Sequence, residues 1–197
     1  MTERKTRSGR KILGASETAL VLLDVISDFE FEDGSTLLRN FLPVAKNLAA
    51  LKDRANDAGA AVIYVNDNFG KWQEDFKTMS EHFARDEAKG KTTVRLLQPG
   101  ADDYNVLKPH RSAFYSTTLE ILLRELRIRK LIVTGVTTDI CVLFSANDAY
   151  MRGFELHIPS DCVAAVKPTH SKRTLEFMER VLKADTRPSD KISFRKT

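Results

Sequence analysis

The sequence predicts an α/β protein: a single-domain three-layer α/β/α sandwich around a mostly parallel, Rossmann-like sheet of five to six strands. Three observations carry this prediction. Short unbroken apolar runs each end in a polar residue, helical patterns lie between them, and 197 residues with 42% hydrophobic content suffice for one well-buried core but not for a second full domain. A half-exposed strand would alternate apolar and polar residues, whereas an unbroken run suits a strand covered on both faces. Strands that alternate with helices in this way form a parallel sheet with helices on both sides.

The first run is ALVLLD, residues 19–24, which stops at an acid. Phe41, Val44, Leu48, Leu51, Ala55 and Ala58 then recur at helical spacing, with Gly59 placed as a C-terminal cap. The second run is AAVIYVND, residues 60–67. Residues 68–100 break the rhythm, with Trp72, Phe76, Met79 and Phe83 among many charges. An excursion of this length at the carboxyl edge of a sheet reads either as a lid or pocket wall, or as a peripheral helix burying its own aromatics.

The third run is YNVLK, residues 104–108, followed by a helical pattern at Leu119, Leu122, Leu123 and Leu126. The fourth is KLIVTGV, residues 130–136, followed by Ile140, Leu143, Phe144, Asn147, Tyr150 and Met151, with Gly153 as the stop. FELHIPS, residues 154–160, makes a fifth strand, and Leu175, Met178, Val181 and Leu182 mark a last helix. The tail after Asp185 is polar apart from a short edge strand expected at Ile192 to Phe194. The domain is expected over residues 16–197, behind a flexible basic arm at residues 1–15.

A net charge of +4 arises from 31 basic and 27 acidic residues scattered through the same helices, so charge alone predicts no nucleic-acid partner. The basic cluster in MTERKTRSGR has no apolar stretch behind it, which predicts neither a signal peptide nor a membrane span. With only Cys141 and Cys162, no disulfide framework is expected, and both thiols fit a reducing cytoplasm.

In an open parallel sheet, ligands bind outside the carboxyl ends of the strands, where residues distant in sequence converge. Asp24 ends the first strand, Lys108 ends the third, and Cys141 follows the fourth by a few residues. Thr138 as N-cap would put Cys141 in the first turn of a helix, where the dipole favours a thiolate. Lys108 would add a positive charge, and Asp24 could take up the thiol proton and return it to a leaving group. The same turn would aim the N–H groups of Thr137 and Cys141 at one point, as an oxyanion hole requires. Each residue also has an ordinary reading: cysteine as core filling, lysine as a solvated strand end, aspartate as a helix cap. Spacing leaves both open for Cys141, while Cys162, with no acid and lysine paired to it in the sequence pattern, reads as core.

At these residues the sequence resembles the isochorismatase-like cysteine hydrolases. LLDVISDF, residues 22–29, is similar to the family's Asp-x-Gln-x-x-Phe, with Asp24 and Phe29 in place and Ile26 where the family has glutamine. LKPHRSAF, residues 107–114, is similar to the family's lysine followed by Ser-Ala-Phe, and GVTTDICVLFSANDAYMRGF, residues 135–154, looks like its nucleophile segment. The resemblance implies an Asp24–Lys108–Cys141 catalytic triad and a non-proline cis peptide at Val136–Thr137 shaping the oxyanion hole. It also implies a homo-oligomer, dimer or tetramer.

Nicotinamidases of the family hold a metal through Asp-x-His with another histidine four residues on. Here those positions are Asp67, Phe69 and Gln73, and His82, His110, His157 and His170 show no ligand spacing, so no metal or other cofactor is expected. Phe29, Trp72 and Phe114 are the expected pocket residues. The expected activity is hydrolysis of a C–N bond in a small amide, imide or carbamoyl compound through a cysteine thioester. The alternatives are an isochorismatase-type vinyl-ether hydrolase, which needs no thiol, and an idle binding module on the same fold.

Overall fold

The computed structural model describes residues 16–194, so the arm expected at residues 1–15 lies outside the described residues. The strands are β1 (Thr18–Leu23), β2 (Ala61–Asp67), β3 (Tyr104–Lys108), β4 (Lys130–Val136), β5 (Glu155–His157) and β6 (Val163–Ala164). They pair in parallel in the order β3-β2-β1-β4-β5, and β6 also pairs with β4. The helices are α1 (Gly34–Asp57), α2 (Phe76–Phe83), α3 (Lys91–Leu96), α4 (Leu119–Glu125), α5 (Leu143–Met151) and α6 (Pro168–Leu182).

Successive side chains of a strand point to opposite faces, so one apolar run feeds two cores. Leu20 and Leu22 of β1, Val62 and Tyr64 of β2 and Ile132 of β4 pack with Phe41, Leu48 and Leu51 of α1. Their neighbours Val21, Leu23, Ile63, Val65 and Val133 pack on the other face with Leu123 of α4, Ala146 of α5 and Met178 of α6. Two apolar layers on one sheet are what the unbroken runs require.

Two of the expected elements take a different form. The fifth strand is shorter than residues 154–160, because Pro159 cannot donate to a ladder and the chain turns there, with Cys162 N–H donating to its carbonyl at 2.9 Å. The chain then rejoins β4 as β6, opposite Gly135 and Val136. The tail forms no edge strand at Ile192 to Phe194. Both side chains are buried in the α1-side core, and the Arg54 guanidinium satisfies the carbonyls of Ser189 and Ile192 at 2.9 and 2.5 Å.

In the excursion, Phe76, Met79 and Phe83 of α2 and Val94 of α3 are buried in the same core. The peripheral-helix reading therefore holds for this part of the excursion. No helix among the described residues is long and apolar enough to cross a membrane.

The strand order reverses between β1 and β4: β2 and β3 run outward on one side, and β4 returns on the other. A crevice opens there, beyond the carboxyl ends. Gly135 keeps the two strands close, since it lies opposite Leu23, has φ of 104°, and a Cβ would overlap the Leu23 carbonyl. Gly135→Ala is expected to destabilise the fold by about 3 kcal/mol or more, from the left-handed backbone and the clash with main chain together. Urea unfolding would measure this as a lowered midpoint.

Candidate active site

Asp24 leaves β1 with φ of 54°, and its N–H donates to the Val65 carbonyl at 3.0 Å, which brings it beside the end of β2. Its Oδ1 accepts from the Asp67 N–H at 2.7 Å, and its Oδ2 lies 3.0 Å from Lys108 Nζ. The next turn is clamped by Asn66, whose fully buried amide donates to the Ile26 carbonyl at 2.7 Å and accepts from the Ile26 N–H at 3.2 Å. The amide beside this loop thus comes from β2 and not from position 26. The sequence signal was a polar residue inside the otherwise apolar run VIYVND, and Asn66 was missed.

Lys108 ends β3, in register with Asp67. Its side chain has no exposure, and Nζ lies 3.0 Å from Asp24 Oδ2, 3.5 Å from Asp67 Oδ2 and 3.6 Å from Cys141 Sγ. An ammonium taken fully out of water is tolerated only with such partners. Asp67 was a metal-ligand position in the sequence pattern, and its contact with Lys108 was not anticipated.

After β4 the Val136–Thr137 peptide is cis. Thr137, not Thr138, takes the extended N-cap position (φ −91°, ψ 146°) ahead of a wide π-type turn at Thr138–Val142 that leads into α5. Its carbonyl accepts from the N–H groups of Ile140 and Val142, both at 3.1 Å. Thr138 instead meets Ser171 Oγ at 2.8 Å, and Asp139 meets His170 Nδ1 at 3.1 Å, so the start of α6 braces the turn. Cys141 lies within this turn, at the end of a helical segment where N–H groups lack intrahelical carbonyls and a negative charge is favoured.

Burial outweighs that advantage in the resting state. The Cys141 thiol is pushed up to about 12, first by burial and then by the Asp24 charge, against Lys108. Burial also raises the Asp24 carboxyl, although Lys108 opposes the rise. For Lys108, burial works against the charge, but Asp24, Cys141 and Asp67 together outweigh it and the ammonium is held above its ordinary range. Lys108 favours both anions as expected, yet the thiol rests protonated beside a carboxylate that is more basic than a free aspartate.

A cavity of about 480 Å³ opens over these groups, lined by Asp24, Asp67, Thr137, Cys141, Phe29, Phe31 and Phe69 among others, with the exposed Glu32, Asp33 and Arg111 also facing it. Of the three expected pocket residues, Phe29 lines this cavity and Phe114 and Trp72 do not. Trp72 is 77% exposed, on a separate surface depression. Phe114 is packed on Phe154 with the Arg152 guanidinium 4.9 Å over its ring. Its Ser-Ala-Phe segment instead ties the chain after β3 to α5, through Ser112 Oγ to Asp148 at 2.5 Å and Ala113 N–H to Ser145 Oγ at 2.9 Å.

The nicotinamidase-type metal position does not fit a metal here. Asp67 is engaged by Lys108 and by the Phe69 N–H, the Phe69 ring packs edge-on against Phe83, and Gln73 is exposed. Among the described residues no three His, Cys, Asp or Glu side chains are grouped to hold a metal ion.

Residues 18–186 match the Isochorismatase domain. The uncharacterized isochorismatase family protein YaaI of Bacillus subtilis is 37% identical over 180 residues, covering 91% of this chain and 98% of that protein. Ureidoacrylate amidohydrolase RutB of Agrobacterium fabrum is 31% identical over 166 residues, 70% of this chain and 72% of the relative. Among solved structures, N-carbamoylsarcosine amidase from Thermoplasma acidophilum superposes with a TM-score of 0.69 at 26% identity, covering 89% of this chain and 98% of that one. The chain belongs to the isochorismatase family of hydrolases; the two relatives above with a named activity are amidases, whereas another, 27% identical over 180 residues, is a probable inactive nicotinamidase of Arabidopsis thaliana.

Removing the buried cation tests the electrostatics. Lys108→Met leaves Asp24 buried without its counter-ion and is expected to cost roughly 3–5 kcal/mol at pH 8. An aspartate whose folded pKa is raised binds its proton more readily folded than unfolded, so the variant should regain stability as the pH falls through the raised value. Urea unfolding at pH 8 and pH 5 should show the smaller loss at the lower pH.

Proposed function

We propose that this chain is a metal-independent cysteine hydrolase that cleaves a C–N bond of a small amide, imide or carbamoyl compound. One observation carries the proposal: a single buried ammonium lies 3.0 Å from a carboxylate and 3.6 Å from a thiol, and that carboxylate and thiol line an aromatic-walled cavity. Asp24 takes the Cys141 proton as sulfur attacks the carbonyl carbon, so the thiolate forms only as it is used. Lys108 stabilises the anionic charge wherever the proton is. The N–H groups of Thr137 and Cys141 receive the oxyanion.

Asp24 then passes its proton to the departing nitrogen, the C–N bond breaks, and an acyl group remains on Cys141 as a thioester. Water activated by the regenerated Asp24 carboxylate hydrolyses it and returns the thiol. The names of N-carbamoylsarcosine amidase and ureidoacrylate amidohydrolase favour the carbamoyl and ureido part of this substrate range. A vinyl-ether hydrolase would need an acid alone and would leave the contact between Cys141 and Lys108 without a use.

A panel of small amides scored for ammonia release identifies the substrate. On the best of them, Cys141→Ala is expected to lower kcat/KM by about three orders of magnitude or more. Mass spectrometry of enzyme quenched with substrate should find the acyl mass on the Cys141 peptide, and full turnover by Cys141→Ala would refute the mechanism. Because Asp24 must be ionised in the resting enzyme and its pKa is raised, kcat/KM should fall on the acid side at a pH above the ordinary aspartate value of about 3.9.

A further inference from the structure

The hydrolysis just described uses one of the two carboxylates on Lys108. The other, Asp67, ends β2 with its Oδ1 held by the Phe69 N–H at 2.7 Å and its Oδ2 3.5 Å from Lys108 Nζ. Its side chain is 35% exposed and lines the cavity that Cys141 lines. A carboxylate oxygen accepts more than one hydrogen bond, and a 3.5 Å contact leaves Oδ2 with capacity to spare. The Asp67 N–H bonds Asp24 Oδ1 at 2.7 Å, so this spare acceptor is anchored next to the group that protonates the leaving nitrogen. With the thiol neutral, two carboxylates face one ammonium and the cavity floor carries an excess negative charge.

We propose that Asp67 is a further catalytic residue, which accepts an N–H from the scissile nitrogen and so selects substrates bearing hydrogen there: primary amides and ureido or carbamoyl groups. The proposal rests on the cysteine-hydrolase reading. In the tetrahedral intermediate the Asp24 proton moves to nitrogen, which leaves with the C–N electron pair as ammonia or an amine, and the acyl group stays on sulfur. As the proton arrives, nitrogen gains positive character and its N–H becomes a stronger donor. Asp67 therefore holds the transition state more tightly than the bound substrate, the condition for acceleration. An ester oxygen has no hydrogen to offer and turns a lone pair toward the carboxylate.

The test compares Asp67→Asn, which keeps the shape, and Asp67→Ser, which does not, on two kinds of probe. With the best amide of the panel, kcat/KM is expected to fall about 10- to 100-fold in both variants, while hydrolysis of p-nitrophenyl acetate, which feels only the altered pairing of Lys108, falls at least about fivefold less than the amide does. A second readout needs no turnover: alkylation of Cys141 by iodoacetamide and by iodoacetate, which differ in an N–H-bearing amide against a carboxylate. The wild type should favour iodoacetamide more strongly than free cysteine does, and both variants should narrow that preference about fivefold or more.

Parallel losses on amide and ester, or an alkylation preference that is unchanged by the variants, would overturn the role of Asp67. So would faster reaction of the wild type with iodoacetate, which would show that the exposed Arg111 dominates the cavity as an anion site. Failure of the parent reading looks different: Cys141→Ala would then retain turnover whatever Asp67 does.

Discussion

Lys108 carries a full positive charge on a side chain with no solvent exposure, and the surrounding structure answers that charge. Its Nζ is held by Asp24 and Asp67, with the Cys141 thiol beside them. Burying an ammonium costs several kcal/mol unless anions compensate, so losing one partner changes more than one contact. The carboxylates are themselves fixed by main chain, Asp24 through the Asp67 N–H and Asp67 through the Phe69 N–H. Main-chain N–H groups thus orient both carboxylates. The geometry of the cluster follows from the ends of β1, β2 and β3 and from the turn after β4.

The sheet makes that convergence possible. Lys108 lies two strands from Asp24 in the order β3-β2-β1, and its side chain passes the end of β2 to reach it. Cys141 approaches from the other side, across the point where the strand order reverses between β1 and β4. Gly135 lets β4 run close to β1, and the start of α6 braces the turn that bears the sulfur. The same burial that makes the charges interact strongly keeps the thiol protonated at rest. Burial also makes Asp24 a better proton acceptor than a solvated aspartate.

Much of this was legible in the sequence. Unbroken apolar runs flanked by helical spacing imply strands covered on both faces, and a parallel sheet collects its strand-end residues at one edge. That logic brought Asp24, Lys108 and Cys141 to one edge as candidates, and the family resemblance is what implied a triad; Lys108 Nζ lies 3.0 Å from Asp24 Oδ2 and 3.6 Å from Cys141 Sγ. Boundaries were less legible where a single residue redirects the chain, as Pro159 does in the fifth strand. The tail misled because Ile192 and Phe194 have strand-like composition, while their burial against α1 is a long-range contact that composition does not carry.

The pocket lay furthest from sequence logic. Trp72, the most conspicuous aromatic of the excursion, points to solvent, and Phe114 is spent on packing against Phe154 and Arg152. Asn66 was passed over and Asp67 was weighed only as a metal position, because their contacts depend on what stands across the sheet edge, not on neighbours in the chain. By itself the sequence determined the layered fold and the chemical types gathered at its edge, since periodicity and strand-end position are local properties. Only the tertiary structure decided which aromatic walls the cavity, which carboxylates share the ammonium and whether the thiol rests charged. Those outcomes depend on burial and on distances of a few ångströms between residues far apart in the chain.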